Sequence, residues 1–380
     1  MISITDAFDG GNIIVKNSGD PSRIELEIRK DKDSDFYQWF YFKLTGAKGE
    51  DCRLQILNAG NSAYPGGWDD YRAVATYDRK SWFRVPTLYR DGQLAISVTP
   101  KHDQIYLAYF APYTMEQHHQ LIADMSMREN VRLDVLGNTL DGQTIDLLTV
   151  GNEDPAGQIK KHRYWVTARQ HPGETMAEWW MEGFVDRLTD TADPVARALL
   201  NQAIFYIVPN MNPDGSRRGH LRTNAAGINL NREWQSPSLE KSPEVHHVLS
   251  HMRKTGVDFA LDVHGDEALP YNFIAGCEGV PSFTEKGDAL LQSYKSALKV
   301  ASPDFQTKYG YPRNPPGKAN LKICANAIGE EFGCLSMTLE MPFKDSAISP
   351  DQRFGWSPER CKLLGRANLD AMLQVVGELR

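Results

Sequence analysis

The chain has 380 residues, of which 41% are hydrophobic and 24% charged, and its formal net charge is −7. That length exceeds one ordinary core, so two domains are expected in an ordinary globular protein. The acidic balance leaves no basic excess to neutralise phosphates, which argues against nucleic acid and anionic membranes as partners.

Residues 1–12 are polar and acidic and lack the apolar stretch of a signal peptide. No window approaches the roughly 18 consecutive apolar residues of a membrane-spanning helix. The five cysteines, Cys52, Cys277, Cys324, Cys334 and Cys361, are odd in number and scattered. They read as reduced thiols in a cytoplasmic protein, not as a disulfide framework.

Residues 1–115 read as all-β. Strand-like runs at 36–44, 53–57, 73–77, 93–98 and 104–110 alternate with turn chemistry such as Tyr64-Pro65-Gly66-Gly67 and Asp91-Gly92. Short strands at this spacing predict a small antiparallel sandwich. Residues 116–130 form a connector with a short helix. His118 and His119 are adjacent on it, so they point to different faces and are expected at the surface.

From about residue 131 to the end, strands alternate with helices. Strands are expected at 132–135, 144–149, 164–168, 203–208, 259–263, 271–274 and 335–339. Helices are expected at 175–188, 194–201, 243–254, 284–300 and 358–377. This rhythm predicts an α/β domain with a mixed sheet.

Four of those strands hand the chain to a polar group just past their carboxyl ends. The first leads to His171-Pro172-Gly173-Glu174, the second to Asn210 and Asn212-Pro213-Asp214-Gly215. The third leads to His264 and the fourth to Glu340. In open α/β sheets the ligand crevice lies outside the carboxyl ends of the strands, so these groups should converge. His171, Glu174 and His264 then make two imidazoles and a carboxylate, a ligand set of catalytic zinc that keeps a position open for water. Zinc lowers the pKa of that water toward about 7. Glu340 is the candidate to take its proton and pass it to a leaving amine.

Amide hydrolysis also needs a donor for the developing oxyanion, and Arg222 is the candidate. Asn231-Arg232 offers an amide and a planar guanidinium for a terminal carboxylate. Asp262 stands two positions before His264 on a strand, on the same face, and could orient it; a buried acid meeting a loop donor is the competing reading.

Each element alone is common. His-x-x-Glu arises by chance, and Asn-Pro-Asp-Gly is usually a turn. Their order is more specific, and with it the chain resembles an M14-family zinc carboxypeptidase. The matching stretches are His171-Pro172-Gly173-Glu174, Pro209-Asn210-Met211-Asn212-Pro213-Asp214-Gly215, Arg222-Thr223-Asn224, Gly227-Ile228-Asn229-Leu230-Asn231-Arg232-Glu233-Trp234, Asp262-Val263-His264-Gly265-Asp266 and Thr338-Leu339-Glu340. Within that family it resembles the cytosolic carboxypeptidase branch, which carries an extra N-terminal β-domain. Trp39-Phe40-Tyr41-Phe42, Trp82 and Phe110-Ala111-Pro112-Tyr113-Thr114 look like the hallmarks of that domain.

The resemblance implies one Zn²⁺ per chain on His171, Glu174 and His264, with Glu340 as general base and acid. It implies that Arg222 polarises the scissile carbonyl and that Asn231 and Arg232 hold the substrate's carboxylate. Peptide or protein C-terminal tails are the implied substrates. Two features depart from relatives. Asn229 stands where they commonly carry an Asp behind the first histidine, and a neutral amide raises ligand basicity less. Relatives also carry a mobile Tyr before the catalytic Glu; here Tyr309 and Tyr311 both precede a loop at 312–317, and either could serve. An acidic C-terminal side chain would need a cation in the pocket wall, for which Lys318, Lys322 and Arg313 are candidates. Two other readings share the scaffold: a zinc deacylase of small N-acyl amino acids, and a peptide-tail binder without turnover. The second has no use for Glu340.

Overall fold

The computed structural model describes residues 2–154 and 160–379. Among the described residues ten short strands come first: β1 (Ser3–Thr5), β2 (Ile14–Asn17), β3 (Ile24–Glu27), β4 (Tyr41–Thr45), β5 (Cys52–Ile56), β6 (Val74–Thr76), β7 (Phe83–Arg84), β8 (Thr87–Arg90), β9 (Gln93–Val98) and β10 (Gln104–Ala108). They form two five-stranded sheets, ordered β1-β4-β10-β6-β7 and β2-β3-β5-β9-β8. The inward positions alternate along the strands, as in Cys52, Leu54 and Ile56 of β5, all fully buried. One pairing departs from the expected antiparallel pattern. β3 runs parallel to β5, because the chain visits the other sheet as β4 before it returns.

The aromatic run at 36–44 becomes strand only from Tyr41 onward. Residues 36–40 carry no regular structure, and the Trp39 indole donates to Gly10 O at 2.9 Å. Thr114 then starts α1 (Met115–Ser126) with a capping box, exchanging hydrogen bonds with Gln117.

The second half is built on a seven-stranded mixed sheet. Its strands are β11 (Val131–Asn138), β12 (Thr144–Val150), β13 (His162–Ala168), β14 (Ala203–Val208), β15 (Phe259–Asp266), β16 (Phe273–Gly276) and β17 (Leu335–Pro342), in the order β11-β12-β14-β13-β15-β17-β16. The four central strands β14, β13, β15 and β17 are parallel. Being covered on both faces, they are apolar on both, as in the AIFYIV of β14. Phe205 and Ile207 face one core with α2 (Met176–Leu188) and α8 (Pro358–Val376). Ile204, Tyr206 and Val208 face a second core with α5 (Pro243–Thr255).

The remaining helices are α3 (Pro194–Gln202), α4 (Pro213–Arg218), α6 (Glu285–Ala301) and α7 (Cys324–Phe332). Two of them escape the reading of the sequence. Asn212-Pro213-Asp214-Gly215 opens α4 rather than forming a plain turn: the Asn212 side chain accepts from Gly215 N, and Gly219 ends the helix at φ +69°. α7 is short, carries an interior Gly329 and follows a Pro- and Asn-rich loop. Among the described residues, no helix is long and apolar enough to cross a membrane.

Candidate active site

Parallel pairing places the carboxyl ends of the central strands side by side. Asp262 is level with Thr167 on one neighbour and Thr338 on the other, and His264 is level with Glu340. Past the end of β13 the backbone turns at Arg169, a non-glycine residue at φ +59°. Its guanidinium holds that turn from within, donating to Pro172 O at 2.9 Å, to Tyr113 O at 2.6 Å and to the buried Glu178 carboxylate. Gly173 then presses against Leu221, whose carbonyl its N–H meets at 2.9 Å. A Cβ there would lie 2.9 Å from that oxygen, so the position admits only glycine.

This geometry brings His171, Glu174 and His264 to one point, all buried. His171 Nδ1 lies 2.7 Å from Glu174 Oε1, and His264 Nδ1 lies 2.7 Å from Glu174 Oε2. The far nitrogens are both engaged. His171 Nε2 donates to Asn229 Oδ1 at 3.0 Å, and His264 Nε2 to Asp262 Oδ2 at 2.7 Å. With its Nε2 occupied, a neutral ring turns the Nδ1 lone pair toward Glu174. Two such lone pairs around one carboxylate call for a proton or a cation between them, and the donor set suits zinc.

The electrostatics of the two rings differ. Burial pushes His171 down to about 4, and Arg222 works the same way against the attraction of Glu174. Burial would lower His264 too, but Asp262 and Glu174 hold it well above its ordinary value. Burial would raise Glu174, yet the two imidazoles bring it below the usual carboxylate range. Glu340 is buried and raised well above that range, first by burial and then by Glu174, Asp266 and Glu267, while His264 opposes. Its Oε2 has no hydrogen-bond partner.

A cleft of about 730 Å³ opens over this cluster, lined among others by Tyr64, Arg222, Asn231, Arg232, Glu267, Tyr311 and Glu340. The Arg222 guanidinium stacks over the rings of Phe36 and Tyr64, 5.5 and 5.3 Å from their centroids. The Asn231 Oδ1 accepts from Cys324 N at 2.8 Å, and Arg232 donates to Asn231 O at 2.6 Å. Of the two candidate tyrosines, Tyr311 reaches the cluster: its hydroxyl donates to Asp266 Oδ2 at 2.5 Å and lies 3.4 Å from Glu340 Oε1. Tyr309 instead stacks on Tyr271 at 4.4 Å. Lys318 and Lys322 do not line the cleft; Lys318 is exposed and its N–H closes a turn onto Pro315 O. The cations that line the far wall are Lys295, Lys308 and Arg313.

Other residues of the site were not legible. Gln170, fully buried, donates to Asp262 Oδ2 and accepts from the Trp234 indole at 2.8 Å. Nothing in the sequence marks it beyond its place beside His171. Glu267 is raised to about 8, by burial first and then by Glu174 against Arg222. His118, expected at the surface, is buried. Its Nδ1 lies 2.8 Å from Glu178 Oε1 and its Nε2 3.3 Å from Asp146 Oδ2, while His119 is exposed. The two histidines do face different ways, but α1 packs one of them onto acids brought in from two other elements.

Comparison with known proteins bears on this geometry. Residues 118–353 match the zinc carboxypeptidase family and residues 4–110 match the cytosolic carboxypeptidase N-terminal domain. A metallo-carboxypeptidase from Burkholderia cenocepacia is 49% identical over the full length of both chains, with a TM-score of 0.97. A metallo-carboxypeptidase from Pseudomonas aeruginosa is 45% identical, again over both full lengths, with a TM-score of 0.96; its structure is a complex with (2-guanidinoethylmercapto)succinic acid. Cytosolic carboxypeptidase 1 of Gallus gallus is 29% identical over 73% of this chain, which spans only 26% of that longer protein. The chain is thus an enzyme of the M14 zinc carboxypeptidase family, in the branch that carries the cytosolic carboxypeptidase N-terminal domain.

Proposed function

We propose that this metallocarboxypeptidase removes the last residue of peptides or protein tails with one zinc ion held by His171, Glu174 and His264. The observation that carries the reading is the crowding of two imidazole Nδ1 atoms around Glu174 beside a buried Glu340 with an unpartnered oxygen. Zinc bound there supplies Lewis acidity, making water acidic near neutral pH and polarising a carbonyl. Glu340 takes the proton from the attacking water and returns it to the leaving amine. Arg222 donates to the oxyanion, and Asn231 with Arg232 clasps the terminal carboxylate. Tyr311 covers the reacting centre from the loop at 306–320.

For the departing side chain we favour an acidic residue, met by Lys295 and Arg313 in place of Lys318. A basic side chain is the second reading, favoured by the buried Glu278, which lies 3.3 Å from Arg313. The guanidino-succinate held by the Pseudomonas aeruginosa relative would offer this cleft both kinds of charge. We place the enzyme in the cytoplasm as part of the same proposal, a reading supported by its likeness to cytosolic carboxypeptidase 1 of Gallus gallus.

The test is to incubate zinc-loaded protein with peptides varied at the C-terminus and follow their mass. Stepwise loss of single C-terminal residues is expected. Glu340→Gln should retain zinc and lose roughly 10²- to 10⁴-fold in kcat. Release of short acyl groups alone would replace the reading with deacylation, and tight peptide binding without turnover would replace it with a binder.

A further inference from the structure

Arg222 is held in an unusual way for a half-buried cation. Among the described residues it has no ion-pair partner, and its Nε is buried without a hydrogen-bond acceptor. Its support comes from the N-terminal region instead. The loop at 31–36 is closed on itself by Asp31 N donating to Phe36 O at 2.8 Å. One end of that loop, Asp31, is buried at 2% exposure and turns its carboxylate onto the backbone around Arg222. Asp31 Oδ1 accepts from Leu221 N at 2.6 Å. Asp31 Oδ2 accepts from Arg222 N at 2.8 Å, Thr223 N at 2.9 Å and Thr223 Oγ1 at 3.0 Å. The other end, Phe36, lies under the guanidinium together with Tyr64.

The rest of the contact is equally close. Lys32 N donates to His220 Nε2 at 3.1 Å. A Cβ on Gly227 would lie 2.4 Å from Asp33 O. Tyr64 is itself clamped by the buried Gln38, whose Oε1 accepts from Tyr64 N and whose Nε2 donates to Tyr64 O.

We propose that Asp31 is a positioning residue for Arg222, so that the N-terminal β region completes the active site rather than only enlarging the substrate surface. This rests on the reading of Arg222 as the donor to the oxyanion. An Arg fixed by a carboxylate on its own guanidinium would spend its donors on that partner. Here the fixing is done through the backbone by Asp31 and through ring faces by Phe36 and Tyr64. Ring faces attract the cation without accepting its N–H bonds in the plane. The donors stay free for charge that develops only during the reaction, where a preorganised donor is most effective.

The test is a double-mutant cycle on the zinc-loaded full chain, with Asp31→Asn and Arg222→Gln. The Asn amide places an N–H₂ against at least one backbone N–H, so the 221–223 backbone shifts. Asp31→Asn should lower kcat roughly 10-fold with KM changed less than about twofold, at unaltered zinc content. In the Arg222→Gln background the same change should cost less than about twofold in kcat, because the residue it acts through is gone. Equal losses in both backgrounds, or an activity loss matched by zinc loss, would overturn the proposal. If Asp31→Asn does not fold, Phe36→Leu takes its place, with a smaller fall in kcat that likewise vanishes without Arg222. An Arg222→Gln protein with intact kcat refutes the role of Arg222 and the proposal with it. A zinc-loaded wild type that releases no C-terminal residue refutes the carboxypeptidase reading first, and the proposal falls with that.

Discussion

The two histidines that share Glu174 stand on different ground. His264 belongs to a strand in the middle of a parallel sheet and is backed by a carboxylate, Asp262, which also accepts from Thr167 Oγ1 at 2.8 Å and from Gln170. His171 belongs to a loop and is backed by a neutral amide, Asn229, which also accepts from Asn231 N at 3.0 Å. One half of the cluster is therefore set by strand register and backed by charge. The other is set by side-chain grips on a turn and backed by a dipole. The first ring is correspondingly held well above its ordinary pKa, and the second is pushed down to about 4.

The largest expected break comes on the charged side. Asp262→Asn should weaken zinc binding about 10- to 100-fold, read by competition with a chelator, because His264 loses its counter-charge and the amide N–H₂ is set against at least one buried donor. The neutral side should respond in the opposite sense. Asn229→Asp keeps the acceptor for His171 Nε2 and for Asn231 N and adds the missing charge, so zinc should bind up to about 10-fold more tightly by the same assay. An unchanged affinity would show that charge behind His171 has no influence, and that the asymmetry between the halves is only geometric.

The smallest effect concerns the packing under the His171 turn. His118 is raised to about 9: burial opposes the charge, but Glu178 and Asp146 outweigh it. A group whose folded pKa is raised stabilises fully below its unfolded value near 6.5, and that contribution is lost as pH rises through the folded value. His118→Gln should therefore melt a few degrees below the wild type at pH 6 and approach it above pH 9, as followed by circular dichroism. A gap that does not shrink with pH would assign His118 a packing role alone.

The unequal footing of the halves also explains what the sequence could tell. Strand ends announce themselves through apolar runs, so His264 and Glu340 are readable as neighbours from the sequence. Asp262 shared a strand face with His264 and was foreseen as a possible orienter. Asn229 was recognisable through the resemblance as the partner of His171. Groups delivered by tertiary packing were not readable. Lys295 sits on α6, whose register against the cleft no local pattern reveals, and it lines the wall that Lys318 was expected to line. His118 looked like a surface residue because its acids, Asp146 and Glu178, lie 28 and 60 positions away. Asp31 carries no motif at all, and its partners are some 190 positions distant.

The turn at Arg169 has a consequence for how this site can change over generations. A φ of +59° favours glycine, and glycine would relax the backbone there. It would also remove the grips on Pro172, Tyr113 and Glu178 that keep His171 in place. A β-branched residue could neither adopt the angle nor replace the grips. Arginine is thus caught between two requirements that no single replacement meets, and the turn leading into the His171–Glu174–His264 cluster is closed to gradual drift. The exposed loop carrying Arg313 also lines the cleft, and none of the three grips on the turn runs through it.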